Sequence, residues 1–97
     1  MSGNEGHIIV TRHHALAKYL IEKGIAPASA PVIPHAHPDD VRGKCVYGVL
    51  PLRLAVLAEC VVEVPLRLTE KDKGYEIGYQ RLCEIALPPV MYRVERI

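Results

Sequence analysis

The apolar residues of this chain come in short runs separated by polar breaks. His7-Ile8-Ile9-Val10-Thr11 is rich in β-forming residues and predicts a first strand, ending where Arg12, His13 and His14 follow. From about His14 to Lys23 the spacing turns helical, with Leu16, Tyr19, Leu20 and Lys23 on one face and Gly24 as the C-terminal stop. Ile25 to Ala30, with Pro27, reads as a linker. Pro31-Val32-Ile33-Pro34 predicts a short second strand, whose prolines are tolerated only at strand ends or on a sheet edge. His35 to Gly43 is a polar loop with room for one helical turn after Pro38.

Cys45 to Val49 predicts a third strand. Pro51 then opens a second helix, from Leu52 to about Cys60, because proline at the first helical position gives up no hydrogen bond. That helix is apolar nearly all round apart from Arg53 and Glu59, which predicts packing against the sheet and, in an oligomer, a second subunit. Val61 to Leu68 predicts a fourth strand, interrupted by Pro65. A third helix is expected from about Tyr75 to Ala86, with Tyr75, Gly78, Tyr79, Leu82 and Ala86 along one face and Pro88-Pro89 as its stop. Val90 to Ile97 closes the chain as an alternating strand.

The order β-α-β-β-α-β-α-β predicts a Rossmann-like, three-layer α/β domain with a mostly parallel sheet of about five strands. A length of 97 residues leaves room for one such domain and no second core. With five Tyr and neither Phe nor Trp, the core has to rest on Val, Leu, Ile and Ala. Small domains bury a modest share of their surface, which makes a homo-oligomer a natural source of added stability.

Charge and composition exclude several functions. A formal net charge of +1 argues against non-specific binding to long nucleic acid, while leaving room for a small anion in a local basic cleft. No run approaches the roughly 20 apolar residues a bilayer span requires, and the polar stretch 1–6 has no signal-peptide pattern; a cytoplasmic protein without a membrane role is the expectation. Cys45, Cys60 and Cys83 are odd in number and widely spaced, which reads as reduced, buried thiols rather than a disulfide framework or zinc site.

In a doubly wound sheet the carboxyl ends of the strands share one edge, and ligands bind there. That edge would gather Thr11, Arg12 and His13, then His35 and His37, then Gly48, Leu50 and Pro51. Arg12 suits a phosphate through two parallel N–H bonds. The His13 imidazole could serve as an acid, a base or a donor to a phosphate oxygen. His14 is either a further ligand contact or the first solvent-facing residue of the helix, and Gly48 would let a ligand approach the backbone. The charged loop Thr69-Glu70-Lys71-Asp72-Lys73-Gly74 is either a solvated connection or a lid over the same edge.

A competing signal is His35-x-His37 with Asp39 and Asp40, which matches three of four fixed places in the H-x-H-x-D-H metal motif of metallo-β-lactamase-like hydrolases. That fold needs about twice this length and further ligands downstream, and no His lies beyond His37. Asp39-Asp40 after Pro38 can equally cap a helical turn. The G-x-G-x-x-G fingerprint is absent, so no dinucleotide cofactor is expected.

The motifs Val10-Thr11-Arg12-His13 and Gly48-Val49-Leu50-Pro51-Leu52-Arg53-Leu54-Ala55, in a chain of this length and element order, resemble a small Csx-type accessory family of type III CRISPR loci. His14-Ala15-Leu16 departs from the Pro-Gly-Ala that usually follows the Arg-His pair there, and a Trp common in the first helix is replaced near Lys18-Tyr19. The resemblance implies a CARF-like version of the fold and a ring nuclease. Such an enzyme binds cyclic oligoadenylate, the favoured ring being cyclic tetra-adenylate, as a homodimer with the ligand over its two-fold axis. It cleaves without a metal, through attack of the ribose 2′-hydroxyl on the adjacent phosphate. On that reading Arg12 and His13 are catalytic, and Thr11, His14, His35, His37, Gly48, Leu50 and Pro51 contact the ligand. A non-catalytic protein that sequesters the same ring, and a metal-dependent hydrolase using His35, His37 and Asp39, are the alternatives.

Overall fold

The computed structural model describes residues 6–74 and 76–97. The polar stretch 1–5 and Tyr75, expected on a helix face, lie outside the described residues. Five strands, β1 (His7–Val10), β2 (Val32–Ile33), β3 (Cys45–Gly48), β4 (Cys60–Glu63) and β5 (Val90–Tyr92), form one sheet in the order β2-β1-β3-β4-β5. The first four run parallel, and β5 joins β4 antiparallel. Helices α1 (His14–Glu22), α2 (Pro38–Val41), α3 (Leu52–Ala55) and α4 (Tyr79–Ile85) complete the described elements with a 3-10 turn at Glu70–Asp72. This is a small Rossmann-like α/β fold. None of the described helices is long and apolar enough to cross a membrane.

Strand pleating sorts the core into two layers. Ile8, Val10, Val46 and Val61 face one side, where they pack with Val41 of α2 and Leu54 and Ala55 of α3. Ile9, Tyr47 and Val62 face the other, against Ala17 and Leu20 of α1. The inner face of α1 is therefore Ala17 and Leu20, with Tyr19 only half-buried at its side. Tyr47 is an aromatic core residue, 5% exposed, and its hydroxyl meets His7 Nδ1 at 2.9 Å.

The stop at Gly24 is a Schellman motif. Gly24 takes φ +71°, its N–H donates to the Ile21 carbonyl, and the Ile25 N–H donates to the Leu20 carbonyl. β2 lies on a sheet edge with Pro31 and Pro34 just outside it, as the two prolines require. One helical turn does follow Pro38.

Other elements are shorter than their patterns suggest. The helix expected to reach Cys60 ends at Ala55, because Gly43 and Glu59 N–H groups bond to the Leu57 and Lys44 carbonyls and draw the chain into β4. Cys60 accordingly belongs to a strand, paired with Cys45. β4 stops at Glu63, two residues before Pro65, which has no N–H to donate. Beyond it, Leu66 and Ala86 make an isolated antiparallel bridge. α4 begins after Gly78 rather than at Tyr75, and β5 ends at Tyr92 rather than Ile97.

The cysteines divide two ways. Cys45 and Cys60 are half-buried, and the Cys60 thiol donates to Cys45 Sγ at 3.0 Å. Cys83 is exposed on α4, against the expectation that all three are buried.

Candidate functional site

The order β2-β1-β3 makes the chain leave β1 on one side and return on the other, so a crevice opens at the carboxyl ends of β1 and β3. The register Val10↔Gly48 brings those two ends level, and Val10↔Ile33 adds the end of β2. A cleft of about 640 Å³ lies there. Its walls come from three loops: Thr11, Arg12 and His13; Pro34, His35 and Ala36; Val49, Leu50, Pro51 and Arg53.

Backbone hydrogen bonds fix the first wall. The Thr11 N–H donates to the Ile33 carbonyl at 3.0 Å, and the Thr11 hydroxyl accepts from the His13 N–H at 3.1 Å. The chain thus turns sharply after β1 and aims Arg12 and His13 outward before α1 begins. The His13 carbonyl accepts from the Leu16 and Ala17 N–H groups, starting the helix.

The cleft is electrostatically one-sided. Among the described residues Arg12, Arg53, His13 and His35 line it, and no carboxylate does. Among the described residues neither Arg12 nor Arg53 forms an ion pair; the pairs found there belong to Arg42, Lys73 and Arg81. Two guanidiniums over an apolar floor of Val10, Leu16 and Leu54 suit an anion that also carries apolar surface.

Seven of the nine site residues expected from the sequence meet around this opening. Thr11, Arg12, His13, His35, Leu50 and Pro51 line the cleft itself, and His14 lines a smaller depression beside it with Thr11, Arg12 and His13. His37 and Gly48 are not brought to it. His37 precedes α2, and its N–H donates to the Asp40 carboxylate at 2.8 Å. Gly48 is buried under the backbone of Val10 and borders a separate apolar groove with Leu52, Tyr92 and Val94. Pro51 leads into a single helical turn, so the helix terminus expected to support a phosphate is short. Arg53 was readable only as a polar break in an apolar helix, yet that turn delivers it to the cleft.

Asp39 pairs with Arg42 at 2.8 Å, and Asp40 caps α2. Among the described residues, no three His, Cys, Asp or Glu side chains gather as a metal would need. The 69–74 loop does not line the cleft. Its Asp72 is clasped by Arg81 of α4 at 2.7 and 2.9 Å, and the Arg81 hydrogen bonds hold the Asp72 carboxyl far below the usual carboxylate range.

Among known proteins, no curated sequence and no solved structure matches the chain. A family model does, one described as "Putative CRISPR-associated protein (Cas_VVA1548)", over residues 8–95. That span runs from β1 through the end of β5 and includes every residue of the basic cleft, so the chain belongs to this CRISPR-associated family.

Proposed function

We propose that the chain is a metal-independent ring nuclease of type III CRISPR defence, binding cyclic oligoadenylate as a homodimer and opening the ring. The observation that carries this reading is the cleft at the β1/β3 crossing, where the described residues place two guanidiniums without an ion pair among them, two imidazoles and no carboxylate. Membership of a CRISPR-associated family supports it, because cyclic oligoadenylate is an anionic ring made in that setting.

The substrate supplies its own nucleophile. The ribose 2′-oxygen attacks the adjacent phosphorus, the bond from phosphorus to the 5′-oxygen breaks, and a 2′,3′-cyclic phosphate remains. In balance, the proton lost by the 2′-hydroxyl is replaced by one gained at the 5′-oxygen, and no water is consumed. Arg12 and Arg53 hold the phosphate and offset its charge in the transition state. His13 delivers the proton to the leaving oxygen. A two-fold dimer would offer a ring identical contacts on both halves.

The test is incubation with labelled cyclic tetra-adenylate in excess EDTA, with products resolved against linear standards. Linear products ending in a cyclic phosphate are expected. Tight binding without conversion would make the protein a sequestering one. Conversion only on adding zinc or manganese would return the reaction to His35, His37 and Asp39.

A further inference from the structure

The basic cleft has a neighbour. His13 and Leu16 line it on one side and, on the other, line a second cavity of about 170 Å³ completed by Leu66, Glu76, Ile77 and Leu82. This cavity is the more enclosed of the two, and its walls are almost wholly apolar. We infer that it holds the purine base of a nucleotide whose phosphate rests at Arg12 and His13, with Glu76 reading an exocyclic amino group. The inference rests on the phosphate-binding reading of the cleft.

Size is the first argument. Sites for drug-sized molecules run to about 300–1,000 Å³, so a cavity of 170 Å³ suits a single fused ring rather than a whole nucleotide. Chemistry is the second. Leu16, Leu66, Ile77 and Leu82 offer aliphatic contact to a heterocycle, whose desolvation is favourable there. The polar residues of the lining are two: His13, which the cavity shares with the cleft, and Glu76. A carboxylate only accepts hydrogen bonds, so it favours a ring edge carrying an amino group and repels one carrying a carbonyl. Adenine presents such an amine; hypoxanthine presents an oxygen in its place.

Construction is the third. Leu66, which lines one side of the cavity, lies in a stretch of chain held at two points. Arg67 N–H donates to the Ile85 carbonyl, and Asp72 is held by Arg81. The Leu66 side of the cavity is thus held by bonds within the protein, which reduces the ordering cost of binding there.

The test is a methyl and amide NMR titration of the full chain with adenosine 5′-monophosphate, inosine 5′-monophosphate and ribose 5-phosphate. Expected are shifts at Arg12 and His13 with all three ligands, and shifts of the Ile77 and Leu82 methyls with the nucleotides alone. Adenosine monophosphate should bind at least about tenfold tighter than ribose 5-phosphate. Leu66→Phe should abolish that advantage by filling the cavity, and Glu76→Gln, on an exposed side chain, should erase the preference for adenosine over inosine without disturbing the fold. Equal affinity for adenosine monophosphate and ribose 5-phosphate, with Ile77 and Leu82 unmoved, overturns the base site while leaving the phosphate site intact. No shift at Arg12 or His13 with any ligand overturns both.

Discussion

The carbonyl oxygen of Val10 occupies the space that a side chain at residue 48 would need, and Gly48 holds φ +134°, where L-residues rarely go. The two residues pair across β1 and β3, directly beneath the cleft. Glycine at 48 is therefore a requirement of how β1 and β3 meet at the crossing, whatever binds above it.

Gly48→Ala should accordingly cost on the order of 3 kcal/mol in stability, from backbone strain together with displacement of Val10. Urea denaturation would measure it. A loss below about 1 kcal/mol would mean that the Val10 contact relaxes easily.

In the basic cleft, Arg12→Ala and Arg53→Ala should each weaken cyclic tetra-adenylate binding by roughly 10- to 100-fold, the range of a lost charge-assisted hydrogen bond. His13→Ala should slow cleavage by about 10²–10⁴-fold with a smaller change in binding, as removal of a general acid does. Equilibrium binding and single-turnover cleavage separate the two effects. Parental rates in both Arg12→Ala and His13→Ala would remove the site assignment.

The clasp between Arg81 and Asp72 should govern the 69–74 loop. Arg81→Ala is expected to speed tryptic cleavage after Lys71 and Lys73 at neutral pH while leaving the sheet folded. Because the Asp72 carboxyl is held below its ordinary 3.8, the stabilisation is present above that value and is lost as the pH falls beneath it. Limited proteolysis with an acid-active protease should find the parental loop held at about pH 4 and progressively loosened as the pH falls toward about 2. Equal cleavage rates for variant and parent at neutral pH would count against the clasp.

Alkaline pH should act at the other end of the sheet. Burial, and then the hydrogen bond with Cys45, push the Cys60 thiol up to about 11 from an ordinary 9.0. Between those values the folded chain holds a proton that the unfolded chain releases, so stability is unaffected below about pH 9 and falls as the pH rises toward 11. Burial pushes Tyr47 upward too, in the same sense. Denaturation midpoints across pH 7–11 should show the decline, and Cys60→Ser should reduce it. Alkylation at pH 8 should reach the exposed Cys83 well before Cys60.

Much of this could be read from local pattern alone. The β-forming runs His7–Val10 and Cys45–Gly48, the stop at Gly24 and the prolines around Val32-Ile33 are properties of neighbouring residues, and they specify strands, a helix end and an edge. The α/β class, and Arg12-His13 at a strand terminus, follow from the same run of residues. What sequence distance hid was pairing. α3 ends at Ala55 because Glu59 reaches back to Lys44, a bond between residues 15 apart. Arg53 enters the cleft because β3 lies beside β1, and His37 stays out because Asp40 turns its backbone into a cap. The cavity beside His13 needed α1, Leu66, Ile77 and α4 brought together from separate parts of the chain. Side-chain periodicity is a local property of the backbone, and the chain carries it openly; which loops share an edge depends on strand order and long-range hydrogen bonds, which only the folded protein contains.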